Sequence, residues 1–103
     1  FNKAIDQSSA VFGGAYNTAA GYITSVVGGY SNNATGYYSL VAGGLSNRAG
    51  NYSSAVFGGE GNVALDMVTS VVGGYHNNAK GGHNLVVGGK GNKVMGGSSG
   101  GKG

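Results

Sequence analysis

The chain has 103 residues, 24 of them glycine, with no proline, cysteine or tryptophan, and a formal net charge of +3 from six cations and three acids. Without cysteine there is no disulfide scaffold, zinc finger, iron–sulfur cluster or thiol nucleophile. Collagen is excluded by the lack of proline and of a three-residue glycine period, a membrane-spanning helix by the lack of any apolar run near ~20 residues, and a helical fold by glycine, at about 1 kcal/mol per helix-interior position relative to alanine.

The first seven residues, FNKAIDQ, read as an N-terminal cap or part of a preceding coil. From Ser8 onward the chain is periodic. Gly-Gly pairs fall at 13–14, 28–29, 43–44, 58–59, 73–74 and 88–89, always 15 residues apart. In this frame residues 8–97 form six repeats, beginning at Ser8, Ile23, Tyr38, Ser53, Val68 and His83. Column 4 is always valine (Val11, Val26, Val41, Val56, Val71, Val86), and columns 6 and 7 are always glycine. Column 10 is always asparagine (Asn17, Asn32, Asn47, Asn62, Asn77, Asn92); column 12 is alanine five times and then Val94. A fixed period of this kind marks a solenoid. A longer period sits above it: residues 8–52 and 53–97 share 25 identities in 45, which points to duplication of a three-repeat unit. The tail GGSSGGKG (96–103), with 98–103 lying past the last repeat, reads as a flexible linker.

Within one repeat, columns 1–5 are rich in strand-forming Val, Ser, Thr, Phe and Leu. The Gly-Gly pair and the two residues after it form a turn, where glycine supplies positive φ or leaves room that a Cβ would fill. Columns 10–13 give a second short strand, and columns 14–15 close the coil. The predicted fold is all-β: a two-sided parallel β-solenoid of six 15-residue coils, whose rungs at ~4.8 Å make a rod of roughly 29 Å. Column-4 valine and column-12 alanine point inward, so the coil is thin. The asparagines form a structural ladder, bonding up and down the stack and to turn backbone.

Columns 3 and 5 point the other way from column 4, yet they are mostly apolar: Ala10/Phe12, Ser25/Val27, Leu40/Ala42, Ala55/Phe57, Ser70/Val72 and Leu85/Val87. A strand apolar on both faces is usually buried on both, and a single thin solenoid cannot do that. The stripe predicts a partner surface. In five of the six pairs at least one member is Ala or Ser, which suits close packing around an axis. The reading is self-association with closed cyclic symmetry, through an interface of Phe12, Val27, Leu40, Phe57, Val72, Leu85 and Val87.

The pattern Ser-x-Val-x-Gly-Gly-x-x-Asn-x-Ala-x-Gly, clearest in TSVVGGYSNNATG (24–36) and TSVVGGYHNNAKG (69–81), resembles the head repeats of trimeric autotransporter adhesins of the Yersinia-adhesin type. The resemblance covers residues 8 to about 95. It departs from that family's pattern in three ways: the period is 15 rather than near 14, glycine stands at the family's inward isoleucine, and asparagine replaces the first alanine of Ala-x-Ala. The resemblance implies a left-handed parallel β-roll that forms a homotrimeric head. Such a head is displayed extracellularly on the bacterial cell surface, held at the outer membrane by a stalk and anchor outside these residues. It further implies non-enzymatic attachment to host extracellular matrix or cell-surface receptors, and autoaggregation. An end-to-end structural filament and a phage receptor-binding fibre module share the same rod and stand as alternatives.

The groups that could carry chemistry are few. The acids are Asp6, Glu60 and Asp66, and the histidines His76 and His83. Asp66 and His83 fall at turns of neighbouring rungs. A thin rod offers no concave, desolvated pocket for a general acid and base. Catalytic residues, metal ligands and cofactors are therefore not expected. The cations Lys3, Arg48, Lys80, Lys90, Lys93 and Lys102 are scattered, so nucleic acid is not an expected partner, and neither is direct membrane insertion. The candidate ligand surface is aromatic: Tyr22, Tyr37 and Tyr52 at column 15, with Tyr30 and Tyr75 at column 8.

Overall fold

The computed structural model describes residues 1–95. The last two residues of the sixth repeat and the 98–103 tail lie outside them. Among the described residues the protein is all-β, built from two-residue strands that pair only in parallel with the rung before and the rung after. Strands β1 (Lys3–Ala4), β3 (Thr18–Ala19), β5 (Asn33–Ala34), β7 (Arg48–Ala49), β9 (Val63–Ala64), β11 (Asn78–Ala79) and β13 (Lys93–Val94) form one sheet in that order. Strands β2 (Ala10–Val11), β4 (Ser25–Val26), β6 (Leu40–Val41), β8 (Ala55–Val56), β10 (Ser70–Val71) and β12 (Leu85–Val86) form the other. Every pairing joins residues 15 apart, such as Val41 with Val56 and Ala49 with Ala64. The protein is a β-solenoid, with principal extents of 33 × 21 × 11 Å.

The thin dimension follows from the core. Val26, Val41, Val56, Val71 and Val86 face Ala19, Ala34, Ala49, Ala64 and Ala79, and all ten are fully buried. A larger residue on either side would force the sheets apart, at a cost of about 1–3 kcal/mol for each overpacked site. The terminal members of these columns, Val11 and Val94, are only partly buried because one neighbouring rung is incomplete. Residues 1–7 take up the second half of a coil: Lys3 and Ala4 pair with Thr18 and Ala19, and Asn2 sits in the asparagine column.

The strands are shorter than the sequence pattern predicts. Columns 3–4 and 11–12 alone are strand; column 1 belongs to a turn. Column 8 instead forms a third line of parallel bridges, from Ala15 through Tyr30, Leu45, Glu60 and Tyr75 to Lys90. The corners that separate these short runs are made by residues in the left-handed region. Column 1 has positive φ in every repeat (Ser8, Ile23, Tyr38, Ser53, Val68, His83), and so do Tyr16, Ser31, Ser46 and His76 at column 9. Their N–H groups remain paired: Val68 donates to the Tyr52 carbonyl at 2.8 Å and His76 to that of Glu60 at 2.8 Å.

Ile23 and Val68 carry this conformation at φ 54 each, where a β-branched side chain is strained by about 1–2 kcal/mol. Both are exposed. Val68→Asn is therefore expected to raise stability by about 1 kcal/mol, since asparagine tolerates the left-handed region. Thermal unfolding checks this. A lower midpoint would mean that the Val68 side chain contributes more by packing than the backbone loses by strain.

Candidate functional site

The asparagine column explains how the rungs hold together where the sheets turn. Asn47 donates from Nδ2 to the Gly43 carbonyl of its own rung at 2.8 Å and to the Gly59 carbonyl of the next at 3.0 Å. Its Oδ1 accepts from the Asn62 backbone N–H at 2.9 Å. The same three bonds recur at Asn17, Asn32, Asn62 and Asn77. The backbone N–H of column 10 is thus satisfied by a side chain, not by the sheet ladder. Only a short amide that both donates and accepts meets this requirement. The column is structural: Asn17, Asn32, Asn47, Asn62 and Asn77 are buried with their amides committed.

A second buried polar column, not singled out from the sequence, runs at column 2. Thr24, Ser39, Ser54, Thr69 and Asn84 are buried. The hydroxyls close the turn by donating to the column-14 carbonyl: Thr24 to Gly21 at 2.9 Å and Ser39 to Gly36 at 2.7 Å. Serine and threonine in a run of strand formers gave no sign of this role, because their strand propensity masks their use as local backbone partners.

The two glycines of each pair are not equivalent, which corrects the expectation that both are demanded by the turn. Column 7 has positive φ, at 94 for Gly44, and a Cβ there would stand 2.2 Å from the Gly59 oxygen. Column 6 lies outside the left-handed region, and a Cβ on Gly13, Gly28, Gly43, Gly58, Gly73 or Gly88 meets nothing within 4 Å.

The apolar stripe lies on the outer face of the even-numbered sheet, uncovered by any part of the described chain. Phe12 is 74% exposed, Phe57 52% and Val87 56%. Val27, Val72 and Leu85 are also exposed, and Leu40 is half-buried. Columns 3, 5 and 6 carry no charged residue in any repeat. The outward column 11 of the other sheet carries Lys3, Arg48 and Lys93.

The five candidate tyrosines fall on two different turns. Tyr22, Tyr37 and Tyr52 come together at the column-15 edge, with ring centroids 5.6 Å apart for Tyr22–Tyr37 and 5.9 Å for Tyr37–Tyr52. Tyr38 joins them, stacked on Tyr52 at 5.6 Å and 18°. The column pattern does not point to Tyr38, because columns 1–5 favour strand; its left-handed backbone turns the ring back onto the edge. Tyr30 and Tyr75 lie on the column-8 edge, three rungs apart and in separate surroundings. Tyr30 packs edge-on against Tyr16 at 5.4 Å, and Tyr75 stacks on His76 at 4.1 Å with Lys90 Nζ 5.7 Å from its ring centre. Beside Tyr16, an open depression is lined by Phe1, Lys3 and Thr18.

The acid–base inventory stays dispersed. Asp66 accepts from the Met67 N–H at 2.8 Å and the Gly81 N–H at 2.9 Å, so both carboxylate oxygens serve the turn. Among the described residues no group of three or more His, Asp or Glu gathers where it could hold a metal ion, and no helix is long and apolar enough to cross a membrane.

Stacked parallel rungs with an asparagine ladder, an open apolar face and an aromatic edge define a β-solenoid repeat protein. No family model, curated protein or solved structure matches the chain.

Proposed function

We propose that this chain is a non-enzymatic adhesive rod: the head of a bacterial cell-surface adhesin that self-associates, as a homotrimer, through the outer face of the even-numbered sheet. It presents its edges to host extracellular matrix or cell-surface receptors and to other copies. The observation that carries the proposal is the apolar face. Five of the six rungs expose phenylalanine, valine or leucine in line, and the third adds half-buried Leu40, on a surface no other part of the described chain covers. Isolated soluble chains rarely leave such a contiguous patch open. The resemblance of 24–36 and 69–81 to trimeric adhesin head repeats supports the same assembly. The cluster of Tyr22, Tyr37, Tyr38 and Tyr52 supplies a rigid aromatic contact surface of the kind enriched at protein interfaces.

Absolute mass by light scattering on a sizing column tests the assembly. The expected value is near three times 10.1 kDa. A single-chain mass would sink the trimer. A broad, open-ended polymer would favour the filament, in which open rung edges pair end to end. Binding is tested with Tyr22, Tyr37 and Tyr52 changed together to serine. If many weak contacts along the rod act by avidity, the folded triple variant loses at least tenfold in binding to immobilised matrix protein. Unchanged binding would remove this edge as the contact surface.

A further inference from the structure

Column 6 holds a glycine that its own chain does not explain. Gly43 and its five counterparts lack the left-handed backbone that favours glycine, and each has open space where a Cβ would stand. Glycine in or beside a strand loses roughly 0.5–1 kcal/mol to alanine, so six in a row work against the fold of the single chain. Among the described residues a side chain there would meet nothing, so their bareness leaves the backbone open to close approach from outside.

We infer that column 6 is the line along which a second copy of this chain seats, with the column 5–6 margin of one copy against the column 3 margin of the next. The inference rests on the self-association proposed above and specifies its contact. Three observations favour a second copy over a foreign partner. The face is free of charge in all six repeats, so identical surfaces meet without repulsion. The two longer extents of the rod, 33 and 21 Å, bound a face comparable to the ~800 Å² that each partner of a standard stable interface contributes. And the bulk on the face is self-complementary in five of the six rungs.

That complementarity sets the register. At one level Phe12 of one copy meets Ala10 of the next; below it Val27 meets Ser25, and then Ala42 meets Leu40. The sequence repeats this order in Phe57 with Ala55 and Val72 with Ser70. A slip of one rung in one direction sets Phe57 against Leu40. A slip in the other sets Val27 against Leu40 and leaves Ala42 facing Ala55. Either way crowding and voids alternate, and both are costly. An antiparallel pair sets Phe12 level with Leu85. A slip of three rungs restores the match but halves the overlap. Parallel, level rods set a large residue against a small one in five of the six rungs, the exception being Val87 against Leu85 in the last. The three-repeat superperiod is then a pattern of interface bulk.

The test is Gly58→Leu in the full chain, read by light scattering and circular dichroism together. The β spectrum is expected to be retained, because the leucine enters open space on its own chain. The mass is expected to fall to that of one chain, with the dissociation constant raised at least a hundredfold. Register is read by mixing Ser70→Cys chains with Val72→Cys chains under mild oxidation, which is expected to yield covalently linked pairs. Mixing Ser70→Cys with Ala42→Cys, two rungs away, is expected to yield none. An intact oligomer for Gly58→Leu overturns the inference and leaves the self-association standing. So does loss of its β spectrum, which would show that column 6 is needed by its own chain, and so does linkage at residue 42 rather than 72. A wild-type mass of one chain overturns both.

Discussion

Gly44→Ala is expected to abolish the folded state, while Gly43→Ala, one residue earlier, is expected to keep the β circular dichroism spectrum. The two glycines are adjacent and recur together in every repeat. At Gly44 the backbone sits at φ 94, and a methyl group would stand 2.2 Å from the Gly59 oxygen and 2.5 Å from Asn47 Nδ2. Neither neighbour can withdraw without separating two rungs, since the Gly59 oxygen also accepts from the Leu45 N–H at 3.0 Å. Clash and left-handed strain together place this substitution above about 4 kcal/mol, a large part of the stability of a small domain. At Gly43 the methyl meets open space, and the single chain is expected to gain about 0.5–1 kcal/mol. Equal behaviour of the two variants would refute this account of the turn.

The second large effect is expected at the centre of the asparagine ladder. Asn47→Ala removes two donated bonds and the acceptor for the Asn62 N–H, leaving a buried donor without a partner and a void between rungs. A buried unsatisfied group costs about 1–3 kcal/mol, and the cavity and lost bonds bring the sum to about 3–5 kcal/mol. Asn2→Ala, at the exposed end of the same ladder, removes analogous bonds where water replaces them, and is expected to cost less than about 1 kcal/mol. Urea unfolding of the two variants measures the difference. Because each rung contacts only its neighbours, Asn47→Ala is also expected to broaden the transition, as the two halves of the rod come uncoupled. A loss at Asn47 no larger than that at Asn2 would mean the ladder is an ornament of the stack, not one of its fastenings.

Much of this architecture is legible in the residues because a solenoid repeats each environment. Valine at column 4, alanine at column 12 and asparagine at column 10 each meet the same neighbours in rung after rung. A requirement too weak to read once is therefore written several times in register. Period, parallel pairing, thin core and inward asparagines all follow from that repetition. The outward apolar stripe follows too, because alternation about a buried valine fixes which columns face out.

Other features depend on where the coil turns in three dimensions. The left-handed corners at Ile23 and Val68 run against the preference of β-branched residues, so only the closure of the coil, with N–H groups already bonded to the previous rung, holds them there. The buried hydroxyls of column 2 look like strand residues until the turn folds over them. Gly43 and Gly44 are the same letter in sequence; their difference is one of direction, one Cβ position aimed at the next rung and its neighbour aimed outward. Tyr38 becomes part of the aromatic edge for the same reason. Repetition along the chain determined the rung. The backbone path around a single coil, set by hydrogen bonds to the rungs on either side, decided which identical residues are structural and which are free to meet a partner.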